Sequence, residues 1–302
     1  MKSRERLLLP AAPSGALAES SIFFVGTATV ILRHAGFTLL TDPNFLHAGE
    51  HVHLGYGLTS RRLTNPAIPI EALPPIDLVV LSHLHEDHFD RLVAEKLDKR
   101  LPIITTPSAA QRLRQMGFAA AHGLATWETV EVEKGDALLR LTSAPGRHGP
   151  PLVARLLPEV MGSVLDFPGP IGRDLRLYIS GDTLLYDAVR EIPRRFPHID
   201  LALLHLGGTR ILGVLVTMDA RQGVEAIRIV MPRQTVPIHL DDYTVFKSPL
   251  SDFLVAADRA GLAERVRVVN RGETYRFDLD AIRSGRARTE DRVTAGALRT
   301  GR

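Results

Sequence analysis

Three short runs rich in β-branched and aromatic residues stand near the start of the chain. SIFFV (21–25), TVILRH (29–34) and FTLLTD (37–42) are separated by Gly26 and Gly36 and predict strands in a meander. Residues 43–76, PNFLHAGEHVHLGYGLTSRRLTNPAIPIEALPPI, follow neither a period of 2 nor one of 3.6 and are dense in Gly and Pro. This predicts a long irregular connection, and connections of that length in a compact domain are usually functional. From Asp77 the pattern alternates: DLVVLS reads as a strand, DRLVAEKLDK as a helix, PIITT as a strand and SAAQRLRQMG as a helix. Four more strand-like runs follow, ETVEV, ALLRLTSA, GSVLDF and LRLYISGD. Then come a helix around Asp187 to Phe196, strand DLALLHL, helix DARQGVEAIRIV, strand TVPIH, helix LSDFLVAADRAGL and strands VRVV and TYRFDL. Each half thus supplies strands and then helices, which predicts an α/β sandwich: two sheets face to face with the helices outside. No short repeat runs through the chain, which argues against a solenoid. No linker divides residues 21–280; residues 1–20 read as an N-terminal extension and 281–302 as a basic tail.

One segment breaks the alternation of buried strand and polar helix. In LVVLSHLHEDHFD, Leu78 to Asp90, three of the chain's 12 histidines and three carboxylates stand directly behind an aliphatic strand. Residues two apart on an extended chain point the same way, so His83 and His85 can reach one point. The turn into the next helix re-aims Asp87 and His88 toward a second. Burying so many ionisable groups is costly unless a cation neutralises the carboxylates and binds the imidazoles. The chain has no cysteine, which removes disulfides and thiolate ligands together. Any metal must use His, Asp or Glu.

HLHEDH resembles the HxHxDH signature of the metallo-β-lactamase superfamily, an αββα sandwich of two mixed β-sheets with external helices that carries dinuclear hydrolases. Further donors stand downstream at strand ends: His148 in SAPGRHGP, Asp182 in YISGDTLLY and His239 in VPIHLDDY. The resemblance covers Ser21 to Leu279. It implies that His83, His85 and His148 hold one metal, that Asp87, His88 and His239 hold the other, and that Asp182 bridges them. Zn²⁺ is the expected ion, with Mn²⁺ and Fe suited to the same donors. Two ions ~3.5–4 Å apart would share a water whose lowered pKa makes it the nucleophile, with Asp87 and Asp182 orienting it and accepting its proton. The opening GTATVILRHAGFTLLTDPNF is similar to the branch containing L-ascorbate-6-phosphate lactonases and the phospholipase D acting on N-acylphosphatidylethanolamines. That branch carries Gly-His-Ala/Ser-Thr where this chain has Gly26-Thr27-Ala28-Thr29. The bond attacked is then a phosphodiester, lactone or ester of a small or medium organic molecule, and the donor set alone does not choose among them.

Selectivity must come from the surroundings. The long connection offers Tyr56 and the pair Arg61-Arg62, which can fork onto a phosphate or carboxylate, and also His47, His51 and His53. His205 ends an apolar strand and can either line the pocket or sit hydrogen-bonded in the core. Asp242 and Tyr243 follow His239, and either support for the ligands or loop packing suits them. Asp42, before Pro43, caps a turn or, as the resemblance implies, orients a ligand. His34, His122 and His198 stand at turns and are expected on the surface. The basic tail holds six arginines against Glu290 and Asp291, so with a chain net charge of +3 residues 1–280 carry −1. That near-neutral body disfavours a ribonuclease Z-like nuclease and any nucleic-acid partner. A di-iron redox protein would need a reductase partner. No run approaches the ~18 apolar residues of a membrane span, and Pro10 and Pro13 interrupt the apolar part of the N-terminus, so a cytoplasmic protein with a small-molecule substrate is expected. A homo-oligomer is compatible with all of this.

Overall fold

The computed structural model describes residues 5–10, 19–169 and 172–285. In chain order its strands are β1 Glu5–Leu9, β2 Ser21–Gly26, β3 Thr29–His34, β4 Phe37–Thr41, β5 His51–His53, β6 Thr59–Arg61, β7 Leu78–Val80, β8 Ile103–Thr105, β9 Ala121–Gly123, β10 Thr129–Lys134, β11 Ala137–Pro145, β12 Met161–Gly169, β13 Gly172–Ile179, β14 Leu201–His205, β15 Arg210–Ile211, β16 Val214–Leu215, β17 Gln234–Ile238 and β18 Thr274–Arg276. The helices are α1 Arg91–Lys96, α2 Pro107–Gln115, α3 Glu191–Arg195, α4 Ala220–Val230, α5 Leu250–Arg259 and α6 Leu279–Ser284.

Among the described residues two seven-stranded sheets form, ordered β18-β2-β3-β4-β7-β8-β9 and β1-β10-β11-β12-β13-β14-β17. Strand alternation assigns the layers. Leu78 and Val80 of β7, with Leu201 and Leu203 of β14, enter the core shared by both sheets. Val79 and Leu81 turn outward onto Val93 of α1 and Ala110 and Leu113 of α2. Ala202 and Leu204 turn outward onto Val224 and Ile227 of α4 and Phe253 of α5. This is the αββα sandwich that the hydrophobic pattern predicts, its central strands β7 and β14 buried on both faces.

Both sheets are mixed, and their parallel parts place the site. β4 and β7 run parallel, so their C-terminal ends bring Asp42 and the HLHEDH segment to one edge. In the other sheet β13, β14 and β17 run parallel and end next to Asp182, at His205 and next to His239. Helix α1 starts directly after the His-rich turn because Asp90 caps it, accepting from Val93 N at 2.9 Å.

Several expectations need correction. VRVV (266–269) forms no strand; only Val266 bridges to Thr235. The long connection is not wholly irregular, since β5 and β6 pair as an antiparallel hairpin. Within the N-terminal extension, β1 adds to the sheet edge in parallel with β10. The ordered body also passes residue 280: α6 docks through Arg283 Nε, 3.1 Å from Oδ1 of the buried Asp200. The basic tail beyond residue 285 lies outside the described residues. His34 is buried, not superficial, because as the last residue of β3 it packs edge-on against Phe167 with ring centroids 4.9 Å apart. His122 is half-buried and bonds Glu5 at 2.8 Å, while His198 is exposed.

Candidate metal centre

The two sheet edges converge on a buried group of imidazoles and carboxylates. His83, His85 and His148 form one set, in which the donor atoms lie within 4.8 Å of one another. His83 Nε2 stands 3.0 Å from His85 Nδ1. The far nitrogens fix the tautomers. His148 Nδ1 is 3.0 Å from Val216 O; a carbonyl only accepts, so Nδ1 carries the proton and Nε2 offers its lone pair. His83 Nδ1 is 3.0 Å from Ser82 Oγ, whose own hydrogen goes to Asp42 Oδ1 at 2.9 Å, which leaves His83 Nε2 free in the same way. Burial holds His83 well below the usual histidine range, lowers His148 and, with help from the neighbouring His148, pushes His85 down to about 3. His83 and His148 thus turn lone pairs into the same group that His85 joins.

The second set is His88, Asp182, His205 and His239, again with donor atoms within 4.8 Å. Asp87 joins it: its Oδ2 is 3.4 Å from His239 Nε2 and 3.8 Å from His88 Nε2. Asp182 lies between the imidazoles, with Oδ2 3.6 Å from His88 Nε2 and Oδ1 3.3 Å from His239 Nδ1. Burial raises the Asp182 carboxyl, but the His239 and His88 rings outweigh it and hold the group ionised, well below its usual range. At Asp87 the same balance, led among the charges by His88, lowers the carboxyl to about 2. Burial depresses His88, yet Asp87 and Asp182 overcome that and raise it well above its ordinary value.

The site passes a test of fit for divalent ions on its own atoms. Asp87 Oδ1, His88 Nε2 and both ring nitrogens of His239 are buried and have no hydrogen-bond partner. Buried polar groups are nearly always satisfied, and unpartnered atoms concentrated at one spot of N and O donors are what a cation would engage. All seven residues that the resemblance nominates as ligands are brought together here.

The remaining expected contacts separate. Arg61 and Arg62, neighbours on an extended segment, point apart: Arg61 is exposed, whereas Arg62 is 0% exposed. The Arg62 guanidinium donates to Asn44 O at 3.2 Å and Thr64 O at 2.9 Å, also bonds Asn44 Oδ1, and lies 5.6 Å from the Tyr243 ring centroid. The pair therefore does not act as one fork. Tyr243 is buried with its hydroxyl on Asn44 Oδ1 at 3.0 Å, and His205 is buried beneath Asp182. Tyr56 is 74% exposed, its hydroxyl donating to Leu156 O at 2.8 Å. His47 and His51 are exposed, and His53 ties the β5–β6 hairpin to Glu86 through a 3.0 Å contact.

Sequence reasoning missed three supports. Asn44 Nδ2 donates to Glu86 O at 2.9 Å and so pins the metal-loop backbone. Thr217 Oγ1 donates to Asp182 Oδ2 at 2.9 Å. Thr27 O accepts from His239 N at 2.6 Å, and both residues sit in the left-handed region at φ 54° and 60°, a conformation that β-branched Thr adopts only when its surroundings enforce it. Thr27 N is held in turn by Asp242 Oδ2 at 2.7 Å. The one available signal was the turn chemistry of Thr41-Asp42-Pro43-Asn44 after a strand.

Two mixed sheets with outer helices, and a buried His/Asp cluster at their converging ends, define the metallo-β-lactamase class of fold. The chain belongs to the beta-lactamase superfamily: the model of the beta-lactamase superfamily domain matches residues 38–240. It is similar to a UPF0173 metal-dependent hydrolase of Symbiobacterium thermophilum, 30% identical over 215 residues that cover 70% of this chain and 87% of that one. It is similar also to the UPF0173 protein YddR of Bacillus subtilis (strain 168), 24% identical over 84% of this chain and 98% of the relative. Among solved structures, an isothiocyanate hydrolase from Delia radicum gut bacteria superposes with a TM-score of 0.72 at 21% identity, covering 85% of this chain and 99% of its own.

Proposed function

We propose that the protein is a metal-dependent hydrolase that holds two divalent ions, Zn²⁺ by preference, and cleaves a phosphodiester, lactone or ester in a small or medium organic molecule. The observation that carries this reading is the presence of two adjacent donor sets, the second of them surrounded by the buried, unpartnered atoms of Asp87, His88 and His239. His83, His85 and His148 would hold one ion and Asp87, His88 and His239 the other, with Asp182 between them. When bound, such ions supply Lewis acidity, which lowers the pKa of water and polarises the oxygen under attack.

The chain's own residues divide the remaining work. Thr217 Oγ1 donates to Asp182 Oδ2 and His205 Nδ1 lies 3.1 Å from Asp182 Oδ1, so Asp182 fixes geometry. Asp87 keeps Oδ1 unpartnered and its carboxyl ionised, and it is the base that can take a proton from the attacking water. The β5–β6 hairpin, tied to Glu86 by His53, carries the exposed Tyr56 and Arg61, and the Tyr56 hydroxyl bonds the backbone of the exposed Leu156. Tyr56 holds φ 52° at this tip, a strained position for an exposed aromatic. These residues fit a substrate with an apolar body and an anionic group, bound against the hairpin.

The test is metal removal and restoration, followed by turnover across phosphodiesters, lactones and phosphotriesters. Hydrolysis of at least one class should vanish with chelation and return with Zn²⁺ or Mn²⁺. Turnover that survives complete metal removal, or a fully loaded protein inert toward every class, overturns the reading. Among the described residues no helix is long and apolar enough to cross a membrane.

A further inference from the structure

Of the three adjacent parallel strands whose ends meet the site, the outer two are followed by Asp182 and His239, and the middle one ends at His205. The register places His205 opposite Ile238, one residue before His239, so its ring stands between Asp182 and His239. It is 0% exposed. Its ring stacks on His239 at 5.3 Å and 24° and on His88 at 5.7 Å and 15°. Nδ1 lies 3.1 Å from Asp182 Oδ1, and its donor atom belongs to the 4.8 Å group with His88, Asp182 and His239.

The far side of the ring is as informative. A histidine that binds metal through one nitrogen characteristically presents the other to a carboxylate. Asp42 does this for His88, with Oδ1 3.5 Å from His88 Nδ1. The second oxygen of the same Asp42 lies 3.8 Å from His205 Nε2, which has no other partner. One carboxylate thus backs two parallel imidazoles, each aiming its opposite nitrogen toward Asp182. The backbone fixes this arrangement, since His205 N donates to Ser180 Oγ at 2.9 Å.

We propose that His205 is an additional ligand of the second metal position, binding through Nδ1 alongside His88, Asp182 and His239. The inference rests on the metal-dependent reading above. It makes the second position richer in imidazole than the seven-residue set, and leaves Asp87 freer to accept a proton than an obligatory ligand would be.

The experiment uses the full chain, stripped of metal and titrated with Zn²⁺ and Co²⁺, with stoichiometry from elemental analysis and coordination from the cobalt visible spectrum. Wild-type protein should take up two equivalents. His205→Asn retains a donor for Asp182 but is a poor ligand. It should lose the second equivalent, or bind it more weakly by well over the ~10–100-fold that loss of an outer hydrogen-bonding partner brings, with altered cobalt bands. His205→Phe should behave alike, and circular dichroism decides whether each variant is folded. Two equivalents at wild-type affinity in folded His205→Asn, or a loss within ~100-fold with unchanged cobalt bands, overturns the assignment and leaves His205 a hydrogen-bonding neighbour of Asp182. Metal binding is read without turnover, so a loaded but inert wild type would sink the hydrolase reading alone. A wild type that binds no metal sinks both.

Discussion

Replacing Arg62 with Met separates the two roles that the sequence leaves open for it. Met keeps most of the aliphatic stem and removes the guanidinium, which is buried and donates to Asn44 O, Asn44 Oδ1 and Thr64 O. Asn44 Oδ1 keeps a donor in Tyr243, but the carbonyls of Asn44 and Thr64 lose theirs, and each buried acceptor left unsatisfied costs ~1–3 kcal/mol. The sum is about 2–6 kcal/mol of stability, at the scale of disrupting a buried charged network. Urea unfolding should therefore show a lowered midpoint with an unchanged slope. Arg61→Met, on the exposed neighbour, should stay within ~0.5 kcal/mol. The kinetic arm runs the other way: KM for anionic substrates should rise in Arg61→Met and hold in Arg62→Met. A wild-type midpoint for Arg62→Met together with a raised KM would refute the burial argument and restore the double-arginine fork.

Asp182→Ala should abolish metal-dependent turnover, because it removes the carboxylate between the two donor sets, while His122→Ala loses only a half-exposed pair with Glu5 worth at most ~1 kcal/mol; equal damage from both, measured by metal content and turnover, would contradict the site. Truncation after Asp280 should cost ~1–3 kcal/mol because it strips Arg283 from Asp200, whereas truncation after Gly285 should be neutral by thermal unfolding. For metal-free protein, His85 titrates near 6.5 unfolded but about 3 folded, so the unfolded chain takes up the proton first as pH falls. Its contribution is intact above about pH 6.5, declines below that and is lost by about pH 3, with the buried His83 and His148 adding in the same sense; a urea midpoint flat between pH 7 and 4 would contradict it.

The parts of the site legible in the sequence were those encoded contiguously or at strand ends. HLHEDH lies within six positions behind an aliphatic strand, and Asp182 and His239 each follow a run of strand composition. The supports were not legible because their partners are distant: Asn44 reaches Glu86 across 42 residues and Thr217 reaches Asp182 across 35. Arg61 and Arg62 misled for a different reason, since adjacency in sequence places side chains on opposite faces of an extended chain. His205 was visible as a strand end, but only the order of strands in the sheet sets it between Asp182 and His239. VRVV had the composition of a strand but pairs only through the Val266–Thr235 bridge, and propensity for a pleated surface does not extend a ladder. The sandwich itself was legible because its central strands, such as β7 and β14, are short aliphatic runs buried on both faces.

The proposed metal donors are divided between the two halves of the sandwich. His83, His85, Asp87 and His88 follow β7 of one sheet, while His148, Asp182, His205 and His239 hang from the ends of the other. The spacing between the halves is set by the inter-sheet core, which includes Leu78, Val80, Leu141, Leu165 and Leu203. The inter-sheet core therefore acts as the calibration of an instrument whose jaws are the ligands. A cavity cut there, as by Leu165→Ala, would cost ~2–5 kcal/mol and would also let the jaws drift, detuning affinity for an ion that tolerates errors of only ~0.2 Å in its bond lengths. Metal selectivity in this protein is thus open to change by substitutions that never touch a ligand.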